Sequence, residues 1–225
     1  MAYAIVSSSA KNGGGGYVQQ WDHAHSFTAG NAAVVALAAG EGDAPTLTDL
    51  THSQLWVELN ETVNIGDRRA ELWLILNVST TGSKTTRFYS GGNWADSAAY
   101  FFEISGLSAT TPLDQIAEAV ADAVTTHASG ATAALAQSNE MVVGVMAATN
   151  QVPGVTGDAS YGTLYSATGF DSWTSVHVQF KSAGSTAGQS YTVTTSSGTH
   201  SSTMVVTLKE SGGAPPPADT SKFFF

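Results

Sequence analysis

Short runs of β-branched and aromatic residues, separated by clusters of glycine, asparagine, serine and aspartate, recur along most of the 225-residue chain. Runs of this kind are typical of β-strands, and the clusters between them are typical of turns. Residues 34–37 and 72–76 are apolar at every position, which predicts strands that are buried on both faces. We therefore expect an all-β chain with a large apolar core.

Seven more segments have strand character and extend the pattern almost to the end of the chain. They are residues 55–59, 84–89, 98–104, 141–146, 175–180, 191–195 and 203–208. In the first of them Leu55, Val57 and Leu59 share one face, so we expect that face in the interior. Ser196-Ser-Gly-Thr199 separates the last two segments, which predicts a hairpin.

One segment departs from this pattern and has helical periodicity. Its apolar residues are Leu113, Ile116, Val120 and Val124. Pro112 stands where a first helical residue is tolerated, and Thr111 with Asp114 resembles a capping pair. We therefore expect at most one short helix, at residues 112–124, in an antiparallel β-sandwich.

The composition changes at residue 211, where the chain becomes rich in glycine and proline. Residues 1–210 are expected to form one β-sandwich domain, and residues 211–225 an extended arm. Two sets of residues define the arm: Pro215, Pro216 and Pro217, and then Phe223, Phe224 and Phe225. The prolines cannot pair within a sheet, and the phenylalanines gain most from burial against a partner. The arm is therefore predicted to bind a neighbouring protein.

The charge of the chain excludes two classes of partner. Charged residues make up only 12% of the chain, and the formal net charge is −10. Nucleic acids and anionic membranes both require a basic surface, so we expect the protein to bind neither.

The chain contains no cysteine, which excludes disulfides and thiolate metal sites. Its first residues lack the basic and apolar regions of a signal peptide, so we expect synthesis in the host cytoplasm.

Two histidines and three glutamates are candidates for chemistry. His23 and His25 are two residues apart, which places both on one face of a strand, as a metal site requires. No third ligand stands at a useful spacing, so we interpret them as surface histidines. Glu58 and Glu61 flank a predicted strand end and Glu71 stands alone, so no closely spaced carboxylates of the glycosidase kind are predicted.

The other acidic residues fall in predicted turns or at strand ends. Asp43, Asp49 and Asp67 lie in loops whose spacing does not match a calcium loop, so we interpret them as solvated turn residues. This leaves a loop calcium ion as the open alternative. Glu103 is interpreted as an outward or end position of a buried strand. Since neither a nucleophile elbow nor a phosphate-binding motif occurs, we expect no catalytic residue, no cofactor and no metal.

Several segments, taken in order, carry a resemblance to a known family. They are Phe27-Thr-Ala-Gly-Asn-Ala-Ala-Val-Val35, Tyr100-Phe-Phe-Glu-Ile-Ser-Gly106, Ser138-Asn-Glu-Met-Val-Val-Gly144, Tyr191-Thr-Val-Thr194 and residues 204–208. Over most of residues 5–210 the chain resembles tailed-bacteriophage virion structural proteins with a jelly-roll or concanavalin-like β-sandwich. It departs from that pattern at Leu47-Thr-Asp-Leu-Thr-His52, which replaces an aspartate-glycine-asparagine turn and a following aromatic residue.

The resemblance implies a protein that decorates or cements a capsid, or that lies on the head or tail surface. We therefore expect a non-catalytic virion protein that forms homo-oligomers and binds other virion proteins partly through its arm. The alternative is a carbohydrate-binding module, in which Asn93, Trp94 and Asp96 would bind a host surface glycan. Trp56 and Trp173 are further candidates for stacking on sugar rings. A β-sandwich glycan hydrolase or lyase is the least favoured expectation, because it needs two carboxylates facing one cleft.

Overall fold

The computed structural model describes residues 3–12, 20–40, 45–63, 68–90, 96–149, 152, 154–169 and 174–211. Within these ranges the chain forms thirteen β-strands and no helix. A helix of the length and apolarity needed to cross a membrane is accordingly not found in the described residues.

The strands divide into two groups along the chain. The first group is β1 (Ala4–Asn12), β2 (Gln20–Phe27), β3 (Ala32–Gly40), β4 (Thr46–Asp49), β5 (Val57–Val63), β6 (Arg68–Ile75), β7 (Gly82–Tyr89) and β8 (Ser97–Ser105). The second group is β9 (Leu113–Ala131), β10 (Met141–Thr149), β11 (Tyr165–Thr168), β12 (Thr174–Ser182) and β13 (Ser190–Leu208).

These strands form three sheets in which neighbouring strands are antiparallel. The first sheet has the order β1-β8-β3-β6-β5 and the second has the order β11-β12-β10-β13-β9. The third sheet has the order β2-β7-β4. The first and second sheets share one core, so the predicted antiparallel β-sandwich is confirmed. The third sheet packs on the opposite face of the first sheet.

Alternation of side chains along the strands of the first sheet supplies two cores. One face contributes Val34, Ala36, Leu72 and Phe102, which meet Val143, Val145, Val178 and Val206 of the second sheet. The other face contributes Val35, Leu37, Trp73 and Phe101, which meet Trp21, Phe27, Leu47 and Phe88 of the third sheet. Each fully buried side chain of this size stabilises the fold by about 1.5–3 kcal/mol.

The strands that the sequence predicts most clearly are the central ones. All nine residues of β3 are buried, because β3 lies in the middle of the first sheet and both faces of that sheet are covered. Strand β10 holds the corresponding place in the second sheet and is buried at every position except Thr149. The apolar run of residues 34–37 is therefore confirmed as part of a doubly buried strand, and residues 141–146, predicted as a strand, lie in a strand that is buried in the same way.

The predicted helix at residues 112–124 is wrong, because this segment belongs to the 19-residue strand β9. Ile116, Glu118 and Val120 alternate with alanines, and β9 pairs with β13 from Leu113 to Ala131. Alanine is compatible with either structure, so the helical spacing of the apolar residues is outweighed by the hydrogen bonds of a long ladder.

Two smaller expectations also fail. Strand β13 runs through residues 196–199 without forming a hairpin, and shifts in its register with β9 between Thr194 and Thr199 absorb the extra residues. Leu55 and Val57 are 79% and 50% exposed, whereas they were expected in the interior. Their exposure follows from the place of β5 at the edge of the first sheet.

Candidate functional site

An apolar cleft lies between β5 and β6 of the first sheet and the segment that leads into β9. Its volume is about 430 Å³. The cleft is lined by Val57, Leu59, Leu74, Leu76, Thr110, Thr111, Pro112 and Leu113. None of these lining residues is charged, and the two threonines are the only polar ones among them. Such a cleft suits aliphatic or aromatic groups.

The end of β13 lies beside this cleft. Leu208 pairs with Leu113, and the Lys209 N–H donates a hydrogen bond of 2.6 Å to the carbonyl of Pro112. The Ser211 N–H donates to the carbonyl of Gly106 at 2.7 Å. The end of β13 therefore lies next to the cleft, and the last described residue, Ser211, lies beside Gly106. The predicted arm residues lie outside the described residues, and their role stays a prediction: Pro215, Pro216, Pro217, Phe223, Phe224 and Phe225.

Exposed apolar side chains occur on both strands that border the cleft region. Val57 is exposed at the start of β5 and Leu55 is exposed two residues before it, and Val120 and Val124 are 46% and 38% exposed on β9. Both strands are sheet edges. Edge strands carry unpaired backbone donors and acceptors as well, so this side of the sandwich has the properties of an association surface.

Three glutamates meet at the edge of the first sheet, on the face away from the cleft. Glu61 lies directly opposite Glu71, and Glu58 lies opposite Trp73. Residues three apart on a regular strand face opposite sides, but a β-bulge between Glu58 and Asn60 brings Glu58 and Glu61 together. One oxygen from each carboxylate lies within 4.8 Å of the others. The expectation that no carboxylates would cluster is therefore wrong.

Glu71 is the buried member of this glutamate cluster and is 0% exposed. Its Oε2 accepts a hydrogen bond of 2.7 Å from Trp73 Nε1, whereas its Oε1 has no partner among the described residues. Burial raises the pKa of Glu71 to about 8 despite the hydrogen bond from Trp73. Burial, and then the charge of Glu61, also raise the pKa of Glu58. Arg69 forms an ion pair with Oε1 of Glu61.

A second polar cluster joins the first and third sheets at their edge strands β1 and β2. Ser9 Oγ lies 2.6 Å from His25 Nδ1 and 2.9 Å from His23 Nε2. Ser7 Oγ lies 3.0 Å from His25 Nε2 and donates to Glu103 Oε2 at 3.1 Å. The sequence correctly places both histidines on one face. His25, however, is buried against serines rather than exposed at the surface.

Neutral histidines satisfy this serine–histidine network completely. His23 Nε2–H can donate to Ser9, whose hydroxyl donates to His25 Nδ1, while His25 Nε2–H donates to Ser7. Burial, together with the charges of His25 and Lys11, lowers the pKa of His23 to about 4. Burial likewise lowers the pKa of His25. Glu103 contacts Ser7 rather than an imidazole, so the order of groups is not that of a catalytic triad.

Glu103 anchors the network and is 3% exposed, so of the two expected positions it does not occupy the outward one but lies near the end of the buried strand β8. Its Oε1 accepts hydrogen bonds from Thr28 N at 2.8 Å and Asn31 Nδ2 at 2.6 Å. Burial by itself would raise the pKa of Glu103, but these bonds and the one from Ser7 hold that pKa below its usual range. Glu103 therefore fixes the turn between β2 and β3 to the first sheet.

Asp49 was interpreted as a solvated turn residue, but its side chain is buried. Its carboxylate accepts hydrogen bonds from the backbone N–H groups of Thr51, His52 and Gln54 and lies 3.5 Å from Lys84 Nζ. These partners occupy the carboxylate and leave it poorly placed to bind calcium. The other two aspartates named for calcium, Asp43 and Asp67, lie outside the described residues.

The residues named for glycan binding are only partly described. Asp96 is 6% exposed, and Trp56 is 4% exposed. Asn93, Trp94 and Trp173 lie outside the described residues. Trp56 is too buried to stack on a sugar ring, and Asp96 is too buried to bind sugar hydroxyls freely. The glycan expectation therefore depends on the residues outside the described ranges.

Comparison with protein-family models, with curated proteins and with solved structures finds no match to this chain.

Proposed function

We propose that this chain is a non-catalytic structural protein of a virion, which assembles with neighbouring copies of itself and other virion proteins. In this proposal the aromatic segment of one copy, residues 223–225, binds in the apolar cleft of another copy. The observation that carries the proposal is the place of the cleft beside the end of β13, from which the arm departs. The resemblance to phage virion proteins supports the same role.

The composition of the arm favours a neighbouring cleft over the cleft of the same copy. Eleven residues separate Ser211 from Phe223, and three consecutive prolines stand among them. A polyproline helix rises about 3.1 Å per residue and is stiff over several residues, so such a segment would span about 37 Å. An arm of that length can reach the cleft of another subunit.

The chemistry of the two surfaces is complementary. Each phenylalanine that becomes fully buried contributes about 1.5–3 kcal/mol before the cost of ordering the arm. The uncharged lining of the cleft imposes no cost of desolvating a charged group. Repetition of a modest contact over a particle increases the overall affinity.

The glutamate cluster does not favour a glycan hydrolase. A general acid must lie within hydrogen-bonding distance of the bond that it cleaves. Glu71 has the raised pKa that a general acid needs, but it is 0% exposed and cannot contact a sugar. The described residues that line the cleft include no carboxylate. Both observations support a non-catalytic role.

The proposal is tested by sedimentation velocity on the full chain over a wide range of concentration. Val57→Asp places a charge in the cleft at a position that is already 50% exposed, so the fold is expected to tolerate it. We expect Val57→Asp, and separately the replacement of all three arm phenylalanines by serine, to weaken self-association about tenfold or more.

Val6→Asp is the matched control, because Val6 is 51% exposed and lies on β1 at the opposite edge of the same sheet. Self-association that survives both the cleft and the arm substitutions, or that Val6→Asp weakens equally, would contradict the proposed contact. The virion assignment is tested by mass spectrometry of purified phage particles, where the chain is expected as a component. Its absence from the particles would contradict that assignment.

A further inference from the structure

We propose that Glu58, Glu61 and Glu71 form a calcium-binding site that ties the edge strand β5 to β6. The site lies on the face of the first sheet away from the cleft, so it is independent of the proposed assembly role. Three carboxylates contribute one oxygen each, and these oxygens lie within 4.8 Å of one another.

The donor atoms and their spacing suit calcium. Calcium prefers carboxylate, carbonyl and water oxygens at about 2.3–2.6 Å, so two oxygens on opposite sides of one ion are about 5 Å apart or less. The three glutamate oxygens fall within that limit. The cluster offers no nitrogen or sulfur ligand, which disfavours zinc.

The buried oxygen of Glu71 is a second observation that points to a ligand. Trp73 occupies Oε2, and Oε1 is buried without a hydrogen-bond partner among the described residues. A buried carboxylate oxygen is rarely left unsatisfied in a folded protein. A cation held between Glu71 and the two glutamates of β5 would satisfy this oxygen.

The positive charge described around the cluster does not balance its three carboxylates, which favours a divalent cation. Among the described side chains, Arg69 is the basic residue that pairs with the cluster, and it binds Oε1 of Glu61. One guanidinium cannot neutralise three carboxylates. Without a cation, the repulsion is relieved by a proton on Glu71, whose pKa is raised to about 8 mainly by burial. Calcium and a proton would therefore compete for Glu71.

The exposure of the cluster predicts a site of modest affinity. Glu58 is exposed and Glu61 is half-buried, so an ion can enter from solvent and keep water molecules as its remaining ligands. Sites with few protein ligands and several waters bind calcium with dissociation constants of roughly 10⁻⁴ to 10⁻³ M. The ion would bridge Glu58 and Glu61 on β5 to Glu71 on β6 across the bulge.

Terbium luminescence on the full chain tests the proposal, because Tb³⁺ binds calcium sites and is excited by a nearby tryptophan. Trp73 is well placed, since its Nε1 lies 2.7 Å from Glu71 Oε2. We expect TbCl₃ to give emission on tryptophan excitation, CaCl₂ to displace it, and MgCl₂ to displace it more weakly. Glu58→Gln and Glu71→Gln should each reduce the affinity for Tb³⁺ at least tenfold.

Glu118→Gln is the matched control, since Glu118 bonds to Asn60 and Thr62 on the opposite face of β5. This variant should bind Tb³⁺ as the unaltered chain does. The melting temperature gives a second readout: calcium should raise it for the unaltered chain and for Glu118→Gln, but not for Glu58→Gln. Emission that survives Glu58→Gln and Glu71→Gln, or that Glu118→Gln lowers equally, would show general binding to an acidic surface and overturn the proposal.

Discussion

Ser9 is the residue that links the two histidines at the seam between the first and third sheets. When both histidines are neutral, its hydroxyl can donate to His25 Nδ1, 2.6 Å away, and accept from His23 Nε2–H, 2.9 Å away. His23 is half-buried and His25 is buried, so water cannot fully replace a lost hydrogen-bond partner of either imidazole. Ser9 thus determines whether two aromatic polar groups are satisfied or left unpaired.

Ser9→Ala is expected to lower the free energy of unfolding by about 1–3 kcal/mol, because it leaves an acceptor on His25 and a donor on His23 without partners. Urea denaturation measures this change. Ser8→Ala is the control, since Ser8 lies on the same strand with its side chain exposed, and a change within about 0.5 kcal/mol is expected there. Equal losses of stability in Ser9→Ala and Ser8→Ala would show that the serine–histidine network does not stabilise the fold.

At the scale of the strands, the contact between β10 and β13 depends on a glycine. A Cβ atom placed on Gly144 would lie 2.3 Å from Cγ of Tyr191, which is 0% exposed. Tyr191 in turn packs edge-on against Tyr161 with ring centroids 5.0 Å apart. The glycine therefore makes room for a buried aromatic ring on the adjacent strand.

Gly144→Ala is expected to lower the free energy of unfolding by about 1–3 kcal/mol through overpacking against Tyr191. In the double variant Gly144→Ala with Tyr191→Leu, the smaller side chain relieves the clash, so the two effects should not add. Thermal or urea unfolding of the two single variants and the double variant measures the coupling. Additive losses would show that the ring does not restrict residue 144.

The same strands show how far the sequence predicts the fold. Strands β3 and β10 are recognisable because both of their faces are buried, which leaves a continuous apolar run. Strand β9 is not recognisable in this way, because its alternating alanines also fit a helix and only its pairing with β13 makes it a strand. That pairing joins residues far apart in the chain, such as Leu113 and Leu208, and no local pattern encodes it.

The glutamate cluster was within reach of sequence reasoning but was missed. Only four residues separate Val63 at the end of β5 from Arg68 at the start of β6, which is the spacing of a hairpin. Antiparallel pairing across that interval places Glu61 opposite Glu71. Glu58 could not be added in this way, because a regular strand would turn it to the other face and only the β-bulge brings it back.

At the scale of the whole molecule, buried histidines that are neutral in the folded protein lower its stability at acid pH. Burial lowers the pKa of four of them: His23, His25, His127 and His177. For His177 the pKa falls to about 4, and its ring nitrogens meet Ser166 and Ser175. The unfolded chain binds these protons at the ordinary pKa of about 6.5. Stability from His177 is therefore present above that value and is lost as the pH falls towards 4.

Glu140 changes the stability of the fold with pH in the opposite direction. It is 0% exposed, and burial, together with the neighbouring carboxyl of Asp114, raises its pKa to about 7. The folded protein thus holds a proton that the unfolded chain releases near pH 4.5. The contribution of Glu140 is present below that pH and is lost as the pH rises through 7. Glu71, whose pKa is also raised, adds to the same loss.

These two groups of residues predict a maximum of stability between about pH 6 and 7, since acid protonates the histidines and alkali ionises the buried glutamates. Urea denaturation at a series of pH values, with EDTA present to exclude calcium, measures the profile. His177→Gln should remove about 1.4 kcal/mol per pH unit from the rise in stability between about pH 4 and 6.5, and Glu140→Gln should remove a similar amount from the fall in stability between about pH 4.5 and 7. The amides keep the hydrogen-bonding capacity of each position and remove only its titration. Slopes that neither substitution changes would show that other groups set the pH dependence of folding.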